Sequence, residues 1–373
     1  MFSDYFQLKR NLYRLPEKPL GAFLYITNKC NLKCSFCEIG IAEKQPDKDM
    51  SSEDVFAILR QLVEWDVKTL YITGGEPFLR KDIWKVLQFC IENRITVSHI
   101  TTNGTLFENL SEEQRKILKA STGLIQISID SPKREEHDAG RGIDGVFDKI
   151  TNFLKKHDRS ELPKIQFSSF ITEENYKNVP DLIRFAAEEK ADHINFTPVN
   201  FASNFPELGV MEDKNQPQFS NALQQEDLMK ILREALDFGK TVGQSSNLEV
   251  LMIWIKEYFQ YEATNDWFFE KVMQEFICSK PFNYIHINYY GDLMACSLIE
   301  GGENIRGKDI KTAWQKLAEK YRQKLLKKEY FPECKSCYCD FPTNFRNSLA
   351  YHPFANRSII FKLALYYLKR RSR

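Results

Sequence analysis

Three of the nine cysteines in this 373-residue chain lie within eight positions, in the stretch ITNKCNLKCSFC. Cys30, Cys34 and Cys37 form a C-x3-C-x2-C pattern with no histidine nearby in the sequence. Zinc sites usually have four ligands, whereas each iron of an iron–sulfur cube needs one thiolate. Three thiolates would leave one iron open to a small chelating ligand. The spacing therefore favours a [4Fe–4S] cluster over zinc or reactive thiols.

A second short motif is GGEP, which comprises Gly74, Gly75, Glu76 and Pro77. Glycines permit positive φ and a close approach of the backbone to another group. The carboxylate of Glu76 can accept a hydrogen bond from an ammonium group, and Pro77 stiffens the turn. Alone, the motif indicates only a tight turn. Its position directly after the second predicted strand makes it a candidate ligand-binding turn.

These motifs follow strands in a regular alternation of short apolar runs and helical stretches. The six predicted strands span 21–27, 67–73, 95–102, 123–130, 164–171 and 192–199. Repeated strand–helix units predict parallel strands with right-handed crossovers. Six units are too few for a closed eight-stranded barrel, so the pattern predicts an α/β fold with a partial (β/α)6 barrel. The cysteines, GGEP, TNG (102–104) and SIDS (128–131) then share its carboxyl-terminal rim.

The cysteine stretch and the GGEP turn resemble the radical S-adenosylmethionine (SAM) superfamily, and the resemblance covers roughly residues 20–200. It implies that Cys30, Cys34 and Cys37 bind a [4Fe–4S] cluster whose open iron is chelated by SAM. It also places Phe36 and residues 74–77 at the cofactors. A one-electron reductant, flavodoxin- or ferredoxin-like, would be needed to cleave SAM. The resulting 5′-deoxyadenosyl radical would remove a hydrogen atom from a substrate, while the protein positions the cofactors.

The stretch at 127–150 resembles the branch of that superfamily with a C-terminal SPASM or twitch domain. The resemblance implies that Ser128 and Arg141 contact the SAM carboxylate, and a guanidinium is a suitable partner for that group. Two plainer alternatives stay open. Arg141 could be a solvated loop cation, and Ser128 could be a strand-end hydroxyl with ordinary hydrogen bonds.

A second cysteine group has the pattern C-x12-G-x4-C followed by C-x2-C. Its members are Cys278, Cys296, Cys334 and Cys337. The pattern resembles a twitch domain, a small α+β unit with one auxiliary [4Fe–4S] cluster. Structural zinc is the alternative, and Cys339 could replace Cys334 or Cys337. Four thiolates leave no open iron, which favours an electron acceptor and a net oxidation, although the cluster could also be structural.

The expected domains are a radical SAM partial barrel (1–200), a helical connection (201–277), the twitch-type unit (278–340) and a tail (341–373).

Cys90 lies among apolar residues of a predicted helix and is expected in the core. Alternation along strands 4 to 6 points polar side chains into the lumen. Two of them, Asp130 and His193, are candidate proton acceptors, although either could be an ordinary hydrogen-bonded lumen residue.

Composition excludes several classes of protein. A formal net charge of +1 provides no overall basic field for nucleic acid. Early charged residues argue against a signal peptide, and no apolar run is long enough to span a bilayer, so a cytoplasmic location is expected. The tail at 356–373 combines apolar residues with a basic end. It could lie on an anionic membrane surface or pack on the barrel.

The sequence therefore predicts a radical SAM oxidoreductase that acts on a small polar substrate, sugar- or aminocyclitol-like, with the auxiliary cluster accepting an electron. Thioether or carbon–carbon crosslinking of a ribosomal peptide is a second possibility, and a lipid-linked substrate is a third. An iron–sulfur electron-transfer protein without catalysis is the alternative from another class. The GGEP turn and the pair Ser128 and Arg141 count against that last alternative.

Overall fold

Eight strands pair into one sheet in the computed structural model. The structure describes residues 17–34, 37, 48–172, 174–198, 222–249, 251, 252, 255, 280–296, 299, 302–327, 329 and 331. The strands are β1 (Gly21–Tyr25), β2 (Thr69–Thr73), β3 (Thr96–Thr102), β4 (Thr122–Ser128), β5 (Lys164–Ile171), β6 (His193–Pro198), β7 (Tyr284–Ile287) and β8 (Leu293–Met294).

The strand order is β6-β5-β4-β3-β2-β1-β7-β8. All neighbouring pairs from β1 to β6 are parallel, and β6 lies at one edge without closing onto β1. This confirms the predicted open α/β arrangement of six strand–helix units. Parallel strands bring their carboxyl ends to one rim, which is where the cysteine and GGEP motifs lie.

Helices connect the strands. They are α1 (Ser52–Glu64), α2 (Ile83–Glu92), α3 (Glu112–Ser121), α4 (Arg134–Arg141), α5 (Val146–Lys156), α6 (Val179–Glu188), α7 (Ala222–Val242), α8 (Lys280–Asn283) and α9 (Ile310–Leu326). Ser51 and Asp54 form a capping box at the start of α1. Cys90, on α2, is fully buried as predicted, and burial raises the pKa of its thiol to about 12.

The sequence of helix α4, REEHDAGR, has no apolar residues at helical spacing. Its buried residues are His137, Asp138 and Arg141, so its buried face is polar. A search for apolar residues at helical spacing cannot find such a helix. The structure therefore adds a helix between β4 and α5, and its last residue is Arg141.

Strands β7 and β8 pair antiparallel and form a hairpin. It does not stand apart from the barrel sheet, because β7 pairs parallel with β1 and aligns His286 with Phe23. Helix α9 lies over this junction, where the indole of Trp314 donates to the carbonyl of Tyr284 at 3.1 Å. The domain division stays a prediction.

Within the ranges given above, no helix is both long and apolar enough to cross a bilayer. The tail at 356–373 lies outside those ranges. Its contact with a membrane surface therefore stays a prediction.

Candidate cofactor site

The cysteine loop, of which the structure describes residues 28–34, 37 and 48–50, follows the carboxyl end of β1. Cys34 is buried, and Cys30 and Cys37 are partly buried. The backbone N–H of Leu32 points at the sulfur of Cys30 at 3.4 Å. Burial raises the pKa of the Cys34 thiol, and the nearby guanidinium of Arg141 lowers it.

Arg141 reaches this loop from the end of α4. Its Nη1 lies 3.9 Å from the Cys34 sulfur, and its Nη2 lies 2.7 Å from Oδ2 of Asp130. The side chains of Arg141 and Asp130 are 6% and 9% exposed, so this ion pair is buried. The backbone also joins the two elements, because Lys33 N–H donates to the Arg141 carbonyl at 3.1 Å. A fixed cation therefore stands beside the cysteine sulfurs.

The GGEP turn packs directly on the cysteine loop. Gly75 N–H donates to the Thr27 carbonyl and Glu76 N–H to the Lys29 carbonyl, each at 2.7 Å. A Cβ on Gly74 would lie 2.5 Å from the Thr27 carbonyl oxygen, and one on Gly75 would lie 2.1 Å from that of Lys29. Gly74 also has φ +126°. Glycine is required at both positions because any side chain would overlap the backbone of Thr27 or Lys29, where the cysteine loop begins.

Glu76 is fully buried at the start of the turn formed by Pro77–Leu79. Its carboxylate accepts from the hydroxyl of Thr102 at 2.8 Å and from the backbone N–H groups of Asn103 and Phe78 at 2.7 and 3.1 Å. Burial raises the pKa of Glu76 to about 7, although these hydrogen bonds oppose the rise. The carboxylate thus connects the ends of β2 and β3.

This shift predicts a pH dependence of stability. Because the pKa is raised on folding from 4.5, the contribution of Glu76 is complete below pH 4.5 and is lost as the pH rises through 7. We expect the cofactor-free wild type to lose about 3 kcal/mol more than Glu76→Gln between pH 5 and pH 8. Urea unfolding at intervals across this range measures the difference. Parallel pH profiles for the two proteins would contradict the expectation.

No role was predicted for Asn103, which lies in the TNG loop after β3. Its Nδ2 donates to Oδ1 of Asn31 at 2.9 Å and lies 4.0 Å from the Cys30 sulfur. Its Oδ1 accepts from the backbone and the hydroxyl of Thr105. The polar run TTNGT at a strand end was the available signal. The structure shows that this amide ties the β3 loop to the first cysteine.

His137 was also missed. It is fully buried on α4, and its Nδ1 accepts from the backbone N–H of Asp130 at 3.2 Å. Together with Arg141, it fixes Asp130 at the end of β4. A single histidine in a polar stretch gives no sequence signal for such a contact.

The inner face of the sheet is the one whose strand residues are partly exposed. On β4 to β6 it is polar, as predicted, and carries Gln126, Ser128, Gln166, Ser168, Asn195 and Thr197. The prediction of polar lumen residues concerned strands 4 to 6. On β1 to β3 and β7 the same face carries aromatic side chains. Phe23 stacks between Tyr71 and His286 with ring centroids at 4.3 and 4.5 Å, and the ring of His99 lies 4.9 Å from that of Tyr71.

The other predicted site residues lie at different places in the fold relative to the cysteine loop. Ser128 ends β4 on the inner face and pairs with Ser168. His193 begins β6 and pairs with Gln166, one side-chain pair farther from the rim, and its Nδ1 lies 2.8 Å from the Ser245 hydroxyl. Cys296 is buried just after β8. Phe36, Cys278, Cys334, Cys337 and Cys339 lie outside the described residues.

Comparison with protein families identifies the barrel. Residues 24–186 match the model of the radical SAM superfamily. The chain carries a radical SAM domain. This match confirms the superfamily that the cysteine stretch and the GGEP turn indicated, and it covers the last two residues of β1 and all of strands β2 to β5.

Two curated relatives share the radical SAM domain. A probable GTP 3′,8-cyclase of Methanocaldococcus jannaschii is 31% identical over 163 residues, which are 44% of this chain and 53% of the relative. An Fe-coproporphyrin III synthase of Methanosarcina barkeri is 27% identical over 220 residues, which are 57% of this chain and 53% of the relative. This chain therefore spans about half the length of each of these relatives.

Among solved structures, Streptococcus suis SuiB bound to its precursor peptide SuiA has a similar fold. The TM-score is 0.61 at 19% identity, and the similarity covers 91% of this chain and 75% of SuiB. At this identity the likeness establishes the fold alone. It extends beyond the radical SAM domain into the C-terminal part of the chain.

The family implies a [4Fe–4S] cluster and SAM, and the donors around the cysteines fit them. N–H groups of Leu32, Asn103 and Arg141 point at the sulfurs of Cys30 and Cys34, as suits thiolates that carry negative charge. Among the described residues, no three His, Cys, Asp or Glu side chains converge on a single ion. A cube does not need such convergence, because each thiolate would bind a different iron.

Proposed function

We propose that this protein is a radical SAM enzyme that cleaves SAM reductively and removes a hydrogen atom from a substrate on the inner face. The observation that carries the proposal is the radical SAM domain with its three cysteines and the cation of Arg141 beside them. When bound, the cluster supplies the electron that cleaves SAM. The protein binds, orients and shields the reacting groups.

The residues of the rim take separate roles in this proposal. Cys30, Cys34 and Cys37 bind the cluster. Arg141 binds the SAM carboxylate, and Asp130 holds the guanidinium in place at 2.7 Å. These contacts favour a positioning role for Asp130 over that of a proton acceptor, since its carboxylate is already paired.

The remaining predicted roles rest on position. Gly74, Gly75, Glu76 and Pro77 form the turn that supports the cysteine loop. Ser128 ends β4 on the inner face, two strands away from β2. His193 is the candidate proton acceptor, and burial lowers the pKa of its imidazole, so it is neutral at neutral pH. Phe36 is proposed at the cofactors by the motif alone.

The substrate is proposed to carry hydroxyl, amine or amide groups. Gln126, Gln166, Ser168 and Asn195 offer matching donors and acceptors on β4 to β6. A sugar- or aminocyclitol-like substrate rests on these polar groups alone. A peptide is the second candidate, because SuiB, which shares the fold, binds a precursor peptide.

The direct test is SAM cleavage after anaerobic reconstitution with iron and sulfide. With dithionite and SAM, we expect 5′-deoxyadenosine and methionine from the wild type and from Cys90→Ala, whose thiol is buried in the core. We expect neither product from the triple variant Cys30→Ala, Cys34→Ala, Cys37→Ala. Chromatography with mass detection measures both products, and a wild type that yields no more than the triple variant would refute the proposal.

The same samples test the auxiliary cluster, which stays a prediction. About eight irons per chain in the wild type and about four in the triple variant would support two clusters on separate cysteine sets. About four irons in the wild type, with zinc in addition, would remove the electron acceptor from the proposal. A redox-neutral reaction would then be the better hypothesis.

A further inference from the structure

The turn between β7 and β8 contacts both ends of the cysteine loop. At the first end, Nδ2 of Asn28 donates to the hydroxyl of Tyr290 at 3.3 Å. At the other end, the backbone N–H of Met50 donates to the carbonyl of Tyr289 at 2.9 Å. Asn28 and Met50 flank the three cysteines in the sequence, so a C-terminal hairpin holds the segment that carries them.

Asp49 joins the two ends to each other. Its Oδ2 accepts from the hydroxyl of Thr27 at 2.6 Å, and its carboxylate accepts from the backbone N–H of Asn28 at 3.2 Å. Nη1 of Arg80 donates to the carbonyls of Ile26 and Met50, each at 2.9 Å. The loop is therefore closed at its base by contacts that leave the cysteine side chains uninvolved.

The turn is itself held in one conformation. The Tyr290 N–H donates to Oδ1 of Asn288, and Nδ2 of Asn304 donates to the Tyr290 carbonyl, both at 2.9 Å. Gly291 follows with φ +85°, in the left-handed region that favours glycine. Arg306 donates to the carbonyl of Lys48. Because the turn has a fixed conformation, its contacts with Asn28 and Met50 can hold these two residues in defined positions.

The hydroxyl of Tyr290 contacts the side chain of Asn28. Asn28 is 4% exposed, and its Oδ1 has no hydrogen-bond partner among the described residues. Among the described residues, the hydroxyl of Tyr290 is therefore the hydrogen-bond partner that orients the side-chain amide of Asn28. Asn28 lies two residues before Cys30, at the start of the cysteine loop.

We propose that Tyr290 is a positioning residue for the reaction. From the β7–β8 turn it fixes Asn28 and hence the start of the cysteine loop, which sets the cysteine geometry for the cluster and SAM. The inference rests on the proposed function for its chemical meaning. The physical claim, that the Tyr290 hydroxyl orients Asn28 at the start of the cysteine loop, stands on the contacts above.

Hydrogen exchange of the cofactor-free protein tests the physical claim. Tyr290→Phe removes one hydroxyl and leaves the ring and the backbone contacts in place. We expect amides in residues 27–34 and 48–50 to exchange about fivefold faster, because losing a hydrogen bond of about 1 kcal/mol has that effect. The matched control is Tyr176→Phe, which removes a tyrosine hydrogen bond of 2.8 Å to Asp227 elsewhere and should leave these segments unchanged.

A second readout separates positioning from general stability. With reconstituted protein, we expect Tyr290→Phe to bind SAM about fivefold more weakly and to alter the change in the electron paramagnetic resonance spectrum on SAM addition, whereas Tyr176→Phe should do neither. Exchange in residues 27–34 and 48–50 that matches the wild type would overturn the inference, whether or not SAM is cleaved. Faster exchange in a protein that fails to cleave SAM would leave the physical claim intact and refute only the proposed function.

Discussion

Gly75→Ala is expected to destabilise the cofactor-free protein by about 3 kcal/mol and to abolish iron loading at the cysteine loop. The added Cβ would lie 2.1 Å from the carbonyl oxygen of Lys29 and 2.6 Å from its carbonyl carbon. These are backbone atoms, so no side-chain rotation can relieve the overlap. The hydrogen bonds from Gly75 to Thr27 and from Glu76 to Lys29 would lengthen, and Cys30 would move with Lys29.

Urea unfolding measures the first effect, and iron and sulfide analysis after reconstitution measures the second. Gly140→Ala is the matched control. It lies inside α4, and a Cβ built there would meet no atom within 4 Å among the described residues outside its chain neighbours and the backbone of its own helix. In a helix, Ala is favoured over Gly by roughly 0.5–1 kcal/mol, so this variant should be slightly more stable and should load iron normally. A Gly75→Ala protein with wild-type stability and iron content would show that the loop adapts without cost.

Sequence reasoning located the elements well because the parallel strands have a strong signal. The runs around Ile72, Ile100 and Ile127 are short and apolar, and all three side chains are fully buried. A short apolar run in a sequence indicates a buried strand, so strands of this kind can be predicted. The rim motifs could be placed for the same reason, since a residue that follows a parallel strand must lie at the carboxyl edge of the sheet.

The hydrogen bonds and the ion pair that hold the rim motifs in place could not be predicted, because they join polar residues that are distant in the sequence. Arg141 was tied to SAM by resemblance, but its partner Asp130 and the contact of His137 depend on how α4 folds back on β4. Tyr290 reaches Asn28 across 262 positions of the chain. Hydrogen bonds between distant polar residues have no periodicity in a single sequence, so only the three-dimensional structure shows them.

Asp130→Asn is expected to reduce the stability of the cofactor-free protein by about 3 kcal/mol. The variant keeps an acceptor for the backbone N–H of Phe170, which Oδ1 of Asp130 now accepts at 3.0 Å. It removes only the negative charge that pairs with Arg141 at 2.7 Å. Both side chains are over nine-tenths buried, so the guanidinium would remain out of water without its counter-charge. We also expect weaker SAM binding, because Arg141 would lose the partner that orients it.

A double-mutant cycle with Arg141→Ala tests whether the two residues act as a pair. Breaking the pair from either side leaves one buried charge, whereas the double variant leaves none, so its loss of stability should be smaller than the sum of the single losses. The exposed pair of Lys116 and Glu112 provides the control. Glu112→Gln should leave the unfolding free energy at the wild-type value, since water screens exposed charges. Additive losses at Asp130 and Arg141 would contradict the pairing. The guanidinium of Arg141 beside Cys34 would then be positioned by helix α4 and not by Asp130.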